Sequence, residues 1–339
     1  MPTSNLRLSK TLGALLGVHA GDSLGATLEF MSWNTIKSEH PHGIRDIVGG
    51  GVFSWPAGHA TDDTDLTRAV LLAYRDFEEL QHKVDTLAES ALDIAKAAAE
   101  HSLDWLDGEW PGRKKGSRPA DIGNATRSGL KNYRALRDPR RSGAGVRSAG
   151  NGSLMRCIPT GLFTGTKERR WKESVAISAF THDDARCTVS CAVYNEIIAE
   201  LVKGRSAEEA VEIGRGVARD ADCPAVQKAI EKGESLAIAR LASEGPGSKL
   251  PDKTSGYVLQ SLALAIAALL DARSFEDVLV DVVRIGGDTD TNGAIAGGLL
   301  GARDGIEAIP ERWLEKLQFR REFEGIATRI LELHETAKN

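Results

Sequence analysis

The chain has 339 residues, of which 41% are hydrophobic and 27% charged, the balance of an ordinary soluble protein long enough for a sizeable core. Its net charge of -5 gives no electrostatic basis for binding nucleic acid or an anionic membrane surface. No apolar run approaches a membrane span, no signal peptide opens the chain, and Cys157, Cys187, Cys191 and Cys223 fit no metal-site spacing, so the expectation is a cytoplasmic protein with reduced thiols and no membrane contact.

From Leu6 to Phe30 the pattern is helical, and glycines at 13, 17, 21 and 25 leave a bare stripe along one face. Glycine weakens a helix interior by about 0.5–1 kcal/mol relative to alanine, so the stripe requires a compensating close contact. Residues 31–58 are rich in Gly, Pro and Trp and read as a long loop or small hairpin over the site, with β-like pieces at 44–48 and 52–55. Helices are expected at about 62–80 and 84–101, then a polar, basic loop, then ADIGNATRSGLKNYRAL, in which Asp121 to Thr126 place polar groups at a helix start. In residues 138–163 the glycines at 143, 145, 150 and 152 mark backbone suited to approaching a ligand, entering a helix at about Ser153. Two helical runs within 172–204 join at Thr181-His182-Asp183. Further helices are expected at about 206–218, 224–243, 256–270 and 275–285, the loop 244–256 intervening, with one or two more in 310–336. With no alternating strand series and no linker, the expectation is an all-α fold in one domain spanning 1–339.

The stretch IGGDTDTNGAIAGGLLGA, residues 285–302, crowds Asp288, Thr289, Asp290, Thr291 and Asn292 at a helix start. One cap needs one side chain, and two like charges two residues apart repel unless a cation lies between them. A second such cluster, GHATDDTDLTR at 58–68, suggests one shared site. Hard oxygen donors with no His or Cys in the cluster point to Mg²⁺, Mn²⁺ or Ca²⁺ rather than zinc, and neither cluster has the order of an EF-hand. The inference is a two-metal centre built from Thr61, Asp62 and Asp63 on one helix start and Asp288, Asp290 and Thr291 on another. The second helix carries its own stripe, Gly293, Gly297 and Gly301, so the two striped helices should cross closely and hold Asp22 and Glu29 near the second cluster. Glu29, between Leu28 and Phe30, is a charge whose burial points to function. His182 is either a satisfied or capping histidine or a ligand contact, and Arg156 either pairs with a carboxylate or binds a phosphate. The basic loops at 113–118 and 137–147 read as solvated.

The set GDSLGATLEF (21–30), GHATDDT (58–64), DIGNATR (121–127), NGSLMR (151–156), TH (181–182) and GGDTDTNGAIAGGLLGA (286–302), in that order, resembles the ADP-ribosylglycohydrolases. The resemblance implies an all-α fold and a binuclear Mg²⁺ or Mn²⁺ centre with Thr61, Asp62, Asp63, Asp288, Asp290 and Thr291 as ligands. It implies ADP-ribose lying over the metals, with Asn151, Gly152, Ser153, Arg156 and His182 on the substrate side and Glu29 at the scissile bond. Ser23 stands where alanine is common. The implied reaction hydrolyses the glycosidic bond between ADP-ribose and a modified protein, with Glu29 and Asp121 as the carboxylates for acid–base or leaving-group work. The DIGNATR form resembles the arginine-directed branch, which ranks ADP-ribosyl-arginine ahead of serine-linked or other O-linked substrates. A catalytically silent binding or structural member and a metal phosphohydrolase are the competing readings.

Overall fold

The pairing of two bare helix faces sets the centre of this molecule. In the computed structural model, residues 4–83, 93–247, 249–250 and 255–336 are described, and they hold helices and no strand. The first half runs α1 (Ser4–Gly25), α2 (Trp33–Glu39), α3 (Asp62–Lys83), α4 (Ile94–Leu106), α5 (Asn124–Leu136), α6 (Ile158–Phe163), α7 (Lys167–Ala179) and α8 (Ala185–Val202). The second runs α9 (Ala207–Asp220), α10 (Pro224–Ser235), α11 (Ile238–Glu244), α12 (Val258–Leu269), α13 (Phe275–Arg284), α14 (Thr289–Asp304), α15 (Glu311–Leu314) and α16 (Arg320–Thr336).

The glycine stripes meet as expected. A Cβ built on Gly17 would strike the carbonyl of Gly297, one on Gly21 that of Gly293, and one on Gly13 that of Gly301. This order makes α1 and α14 antiparallel, with backbones in direct contact, so the close packing offsets the low helix propensity of glycine. Both helices are buried along the crossing. Around them stand α8 and α12, buried over most of their length, while α5, α9 and α13 turn one polar face outward. The buried side chains form one continuous apolar core, and no described helix is long and apolar enough to cross a membrane.

Several expected boundaries move. The β-like pieces at 44–48 and 52–55 form no strand; a single bridge joins Gly50 to Trp55, because Gly49, Gly50 and Gly51 all take positive φ and curl the chain. The first helix stops at Gly25, and Phe30 follows at φ 64. The chain stays in turns past Ser153 and enters α6 only at Ile158. The helix expected over 224–243 breaks where Leu236 becomes extended. Of the helix expected at 84–101, residues 84–92 lie outside the described residues, as do 248 and 251–254 of the loop at 244–256.

Candidate active site

The two acidic clusters sit at the N-termini of α3 and α14, and neither spends its carboxylates on capping. Asp22, from α1, accepts the backbone N–H groups of Thr61 (3.1 Å) and Thr64 (3.2 Å) and the Thr64 hydroxyl. It thereby caps α3 from outside and leaves Asp62 and Asp63 free for other work. At α14 the cap residue Asp288 makes no side-chain cap bond. Its Oδ2 instead accepts from Asn151 Nδ2 at 2.7 Å, while the Thr289 hydroxyl donates to Gly25 O at 2.7 Å and ties the helix start to α1.

The clusters converge. The Thr291 hydroxyl donates to Asp63 Oδ2 at 3.3 Å, and Thr61 Oγ1 reaches the same oxygen at 3.3 Å. Carboxylate oxygens of Glu29, Asp121 and Asp290 lie within 4.8 Å of one another. Glu29, Asp62, Asp121, Asp288, Asp290 and Thr291 all line a cavity of about 750 Å³, and among the described residues no lysine or arginine joins them. Thr61 and Asp63 are buried and do not reach its wall.

Burial of this much acid without basic partners raises every member's affinity for a proton. Asp62, Asp63 and Asp290 are held well above the ordinary carboxylate range, first by desolvation and then by neighbouring carboxylates, Asp121 leading for Asp62, Asp62 for Asp63 and Glu29 for Asp290. Desolvation, then Asp121, Asp288 and Asp22, pushes Glu29 up to about 9. Asp121 and Asp288 are raised as well, by burial first. Asp63 Oδ1, Asp290 Oδ1 and Glu29 Oε2 are buried with no hydrogen-bond partner. Buried carboxylate oxygens of this kind are costly unless something positive meets them, and an all-oxygen donor set fits a hard divalent cation.

The opposite wall is the turn-rich segment ahead of α6. Asn151 is fixed by its N–H to Gly256 O at 2.9 Å and by Nδ2 to Ser261 Oγ at 2.9 Å, and it lines the cavity with Gly152 and His182. Two residues expected on the substrate side sit behind this wall instead. Ser153 is buried, accepting from Ser178 Oγ at 2.9 Å, because the turn through 151–156 points its side chain toward α7 and α8. Arg156 is 0% exposed and neither pairs with a carboxylate nor reaches the cavity; its guanidinium donates to Gly152 O, Ile177 O and Thr181 Oγ1. Thr126 of α5 lines the cavity with its hydroxyl unpartnered, and Phe30 stands 56% exposed at the rim. From the sequence Thr126 reads only as one of the polar groups at a helix start, and Phe30, two residues beyond Leu28, looks like core.

Comparison with known proteins gives a consistent result. The family model described as ADP-ribosylglycohydrolase matches residues 3–339. The ADP-ribosyl-[dinitrogen reductase] glycohydrolase of Rhodospirillum rubrum is 30% identical over 320 residues, covering 93% of this chain and 92% of its own. The ADP-ribosylarginine hydrolase Tri1 of Pseudomonas putida is 28% identical over 337 residues, covering 97% of this chain and 80% of its own. A solved structure, an ADP-ribosylglycohydrolase-related protein complex, superposes with a TM-score of 0.74 at 29% identity, over 97% of this chain and 99% of that one.

Proposed function

Because this chain belongs to the ADP-ribosylglycohydrolase family and is thereby a glycosidase-type hydrolase, we propose that it removes mono-ADP-ribose from modified protein side chains in a metal-dependent reaction, with ADP-ribosyl-arginine its first substrate. The observation that carries the reading is the convergence of two sequence-distant acidic clusters, one of them capped by Asp22 of α1 and both left with orphaned buried oxygens, on one cavity. The residues that would hold two divalent cations, Mg²⁺ or Mn²⁺, are Thr61, Asp62, Asp63, Asp288, Asp290 and Thr291. When bound there, such cations supply Lewis acidity and orientation for vicinal ribose hydroxyls.

The chain's own groups carry the rest. Hydrolysis forms a bond from water to the anomeric carbon as the bond to the protein side chain breaks, and oxocarbenium character develops on the ribose. Glu29, which lines the cavity, is the residue to take the proton from the water attacking that carbon and pass it to the departing side chain. Asp121 is the partner for a leaving guanidinium, whose planar fork matches a carboxylate. Asn151, Gly152 and His182 form the wall against which the nucleotide or ribose is held. The arginine ranking draws further support from the Pseudomonas relative, named as an ADP-ribosylarginine hydrolase.

The test is incubation with mono-ADP-ribosylated arginine and serine peptides in Mg²⁺ or Mn²⁺, then in EDTA, with free ADP-ribose measured. Release from arginine that EDTA abolishes is the expected result. Release from serine alone would move the substrate to the O-linked class, and no release from either would make the protein a binding member of the family.

A further inference from the structure

We propose that Arg156, acting through the hydroxyl of Thr181, sets the tautomer of His182 so that its Nε2–H faces the cavity as a fixed hydrogen-bond donor. Arg156 is a buried cation with no ion-pair partner among the described residues, stacked at 4.4 Å over the Phe180 ring. A cation in such a place is expensive unless it organises something. Its Nη1 donates to Gly152 O (2.7 Å), and its Nη2 to Ile177 O (2.9 Å) and Thr181 Oγ1 (2.8 Å). Thr181 Oγ1 in turn lies 2.8 Å from His182 Nδ1.

The direction of this chain follows from the chemistry of its first member. A guanidinium only donates, so the Thr181 oxygen accepts from Arg156 and keeps one proton to give. Among the described residues His182 Nδ1 is the one acceptor placed for that proton, and a bare Nδ1 is the arrangement that satisfies it. The neutral ring then carries its proton on Nε2. Burial, then the charge of Arg156, hold His182 down to about 3, so the ring stays neutral at physiological pH.

Space at Nε2 is kept by two glycines. A Cβ on Gly152 would lie 3.1 Å from Cε1 and 3.2 Å from Nε2 of His182, and one on Gly150 would lie 3.3 Å from Nε2. The same Arg156 that orients the ring also holds the carbonyl of Gly152, so wall and donor are positioned by one group. The ligand atom meeting His182 must be an acceptor, and on the reading given under the proposed function that is an oxygen of ADP-ribose. Arg156 and Thr181 are positioning residues; His182 alone makes the contact.

The test is the long-range ¹H–¹⁵N imidazole spectrum of the full-length protein in Mg²⁺ buffer, with His182 assigned by its loss in His182→Gln. The wild type should show a bare Nδ1 and a protonated Nε2. Thr181→Val should give a mixture of tautomers and bind ADP-ribose about tenfold more weakly, and Thr181→Ser should restore both. A protonated Nδ1 in the wild type, which needs no variant to fold, overturns the proposal, as does a Thr181→Val spectrum unchanged from wild type. If the tautomer is as stated but added ADP-ribose leaves the Nε2 resonance unmoved, the relay stands and the substrate reading fails.

Discussion

Replacing Asp290 by Asn separates a metal site from a helix cap. Asp290 lies in the first turn of α14 with Oδ1 buried and unpartnered, and burial, then Glu29, Asp63, Asp288 and Asp22, hold it well above the ordinary aspartate range. A folded-state affinity for protons above the unfolded one means that this group's contribution is fully present below the unfolded value and is lost as pH rises toward the folded one. Metal-free wild type should therefore lose stability from about pH 4 upward, by up to about 1.4 kcal/mol per pH unit for each such group. Asp290→Asn does not titrate, and near pH 4 it offers much the same groups as a protonated Asp. Without metal it should match wild type there and become the more stable protein as pH rises.

Divalent cation reverses the order. A ligand at a hundred times its dissociation constant adds about 2.7 kcal/mol to a protein that binds it only when folded, and for a chain of this size that is a rise of roughly 4 °C in Tm. Wild type should show that rise in Mg²⁺ or Mn²⁺ at pH 8, more weakly at pH 5, where protons compete, and Asp290→Asn should show little of it. Thermal melts of both proteins with cation and with EDTA at the two pH values read all four terms. A metal-free Asp290→Asn that melts well below wild type at pH 8 would mean that the carboxylate supports the fold as a cap, and the two-metal argument would fall.

Glu29→Gln should lower turnover by roughly 10²-fold or more on every linkage the enzyme accepts, since a proton-transfer group serves the transition state whatever leaves. Asp121→Asn should lower kcat/KM on the arginine peptide by roughly 1.5–3 kcal/mol and on a serine-linked one by far less, because only the guanidinium loses a charge-assisted pair; equal losses would remove the case for arginine. Gly297→Ala drives a methyl into the Gly17 carbonyl and should cost about 2–3 kcal/mol in urea unfolding, whereas a cost under 1 would deny the close crossing. Asp65 accepts the indole N–H of Trp105 at 2.8 Å and of Trp110 at 2.7 Å, so Asp65→Asn, with one oxygen for two donors, should destabilise by about 1–3 kcal/mol and shift tryptophan emission.

What was legible in the sequence was whatever repeats or exceeds a local need. The glycines at a four-residue period had no local use, so they announced a partner, and the second stripe supplied it. Five polar side chains at one helix start, where one suffices, announced more than a cap, and Asp288, Asp290 and Thr291 among them line the cavity. The β-like reading of 44–48 and 52–55 failed because the three consecutive glycines between them, all at positive φ, decide the backbone there. Arg156 was left open between a carboxylate and a phosphate; it pairs with no carboxylate among the described residues and lies behind the cavity wall. Its partners are the carbonyl of Gly152 in a turn, the carbonyl of Ile177 in the last turns of α7 and the hydroxyl of Thr181 beyond that helix, a pattern with no spacing to detect.

Asp22 shows why the site itself was only half visible. Its place near the acid was inferable from the helix crossing, but its bonds to Thr61 and Thr64 span 39 and 42 residues and exist only once α1 lies across the start of α3. That contact changes what the neighbouring acids are for. Were Asp62 or Asp63 to cap α3, each would hold its own backbone and be unavailable to a cation. With the cap delivered from α1, the folding of the glycine crossing itself leaves Asp62 and Asp63 uncommitted to the helix end, so packing and candidate site form in one event. If the proposed metal centre holds, the crossing that makes the core is also what turns a run of acids from a helix signal into a cation site, and a variant that loosens it should lose cation affinity before it loses helix.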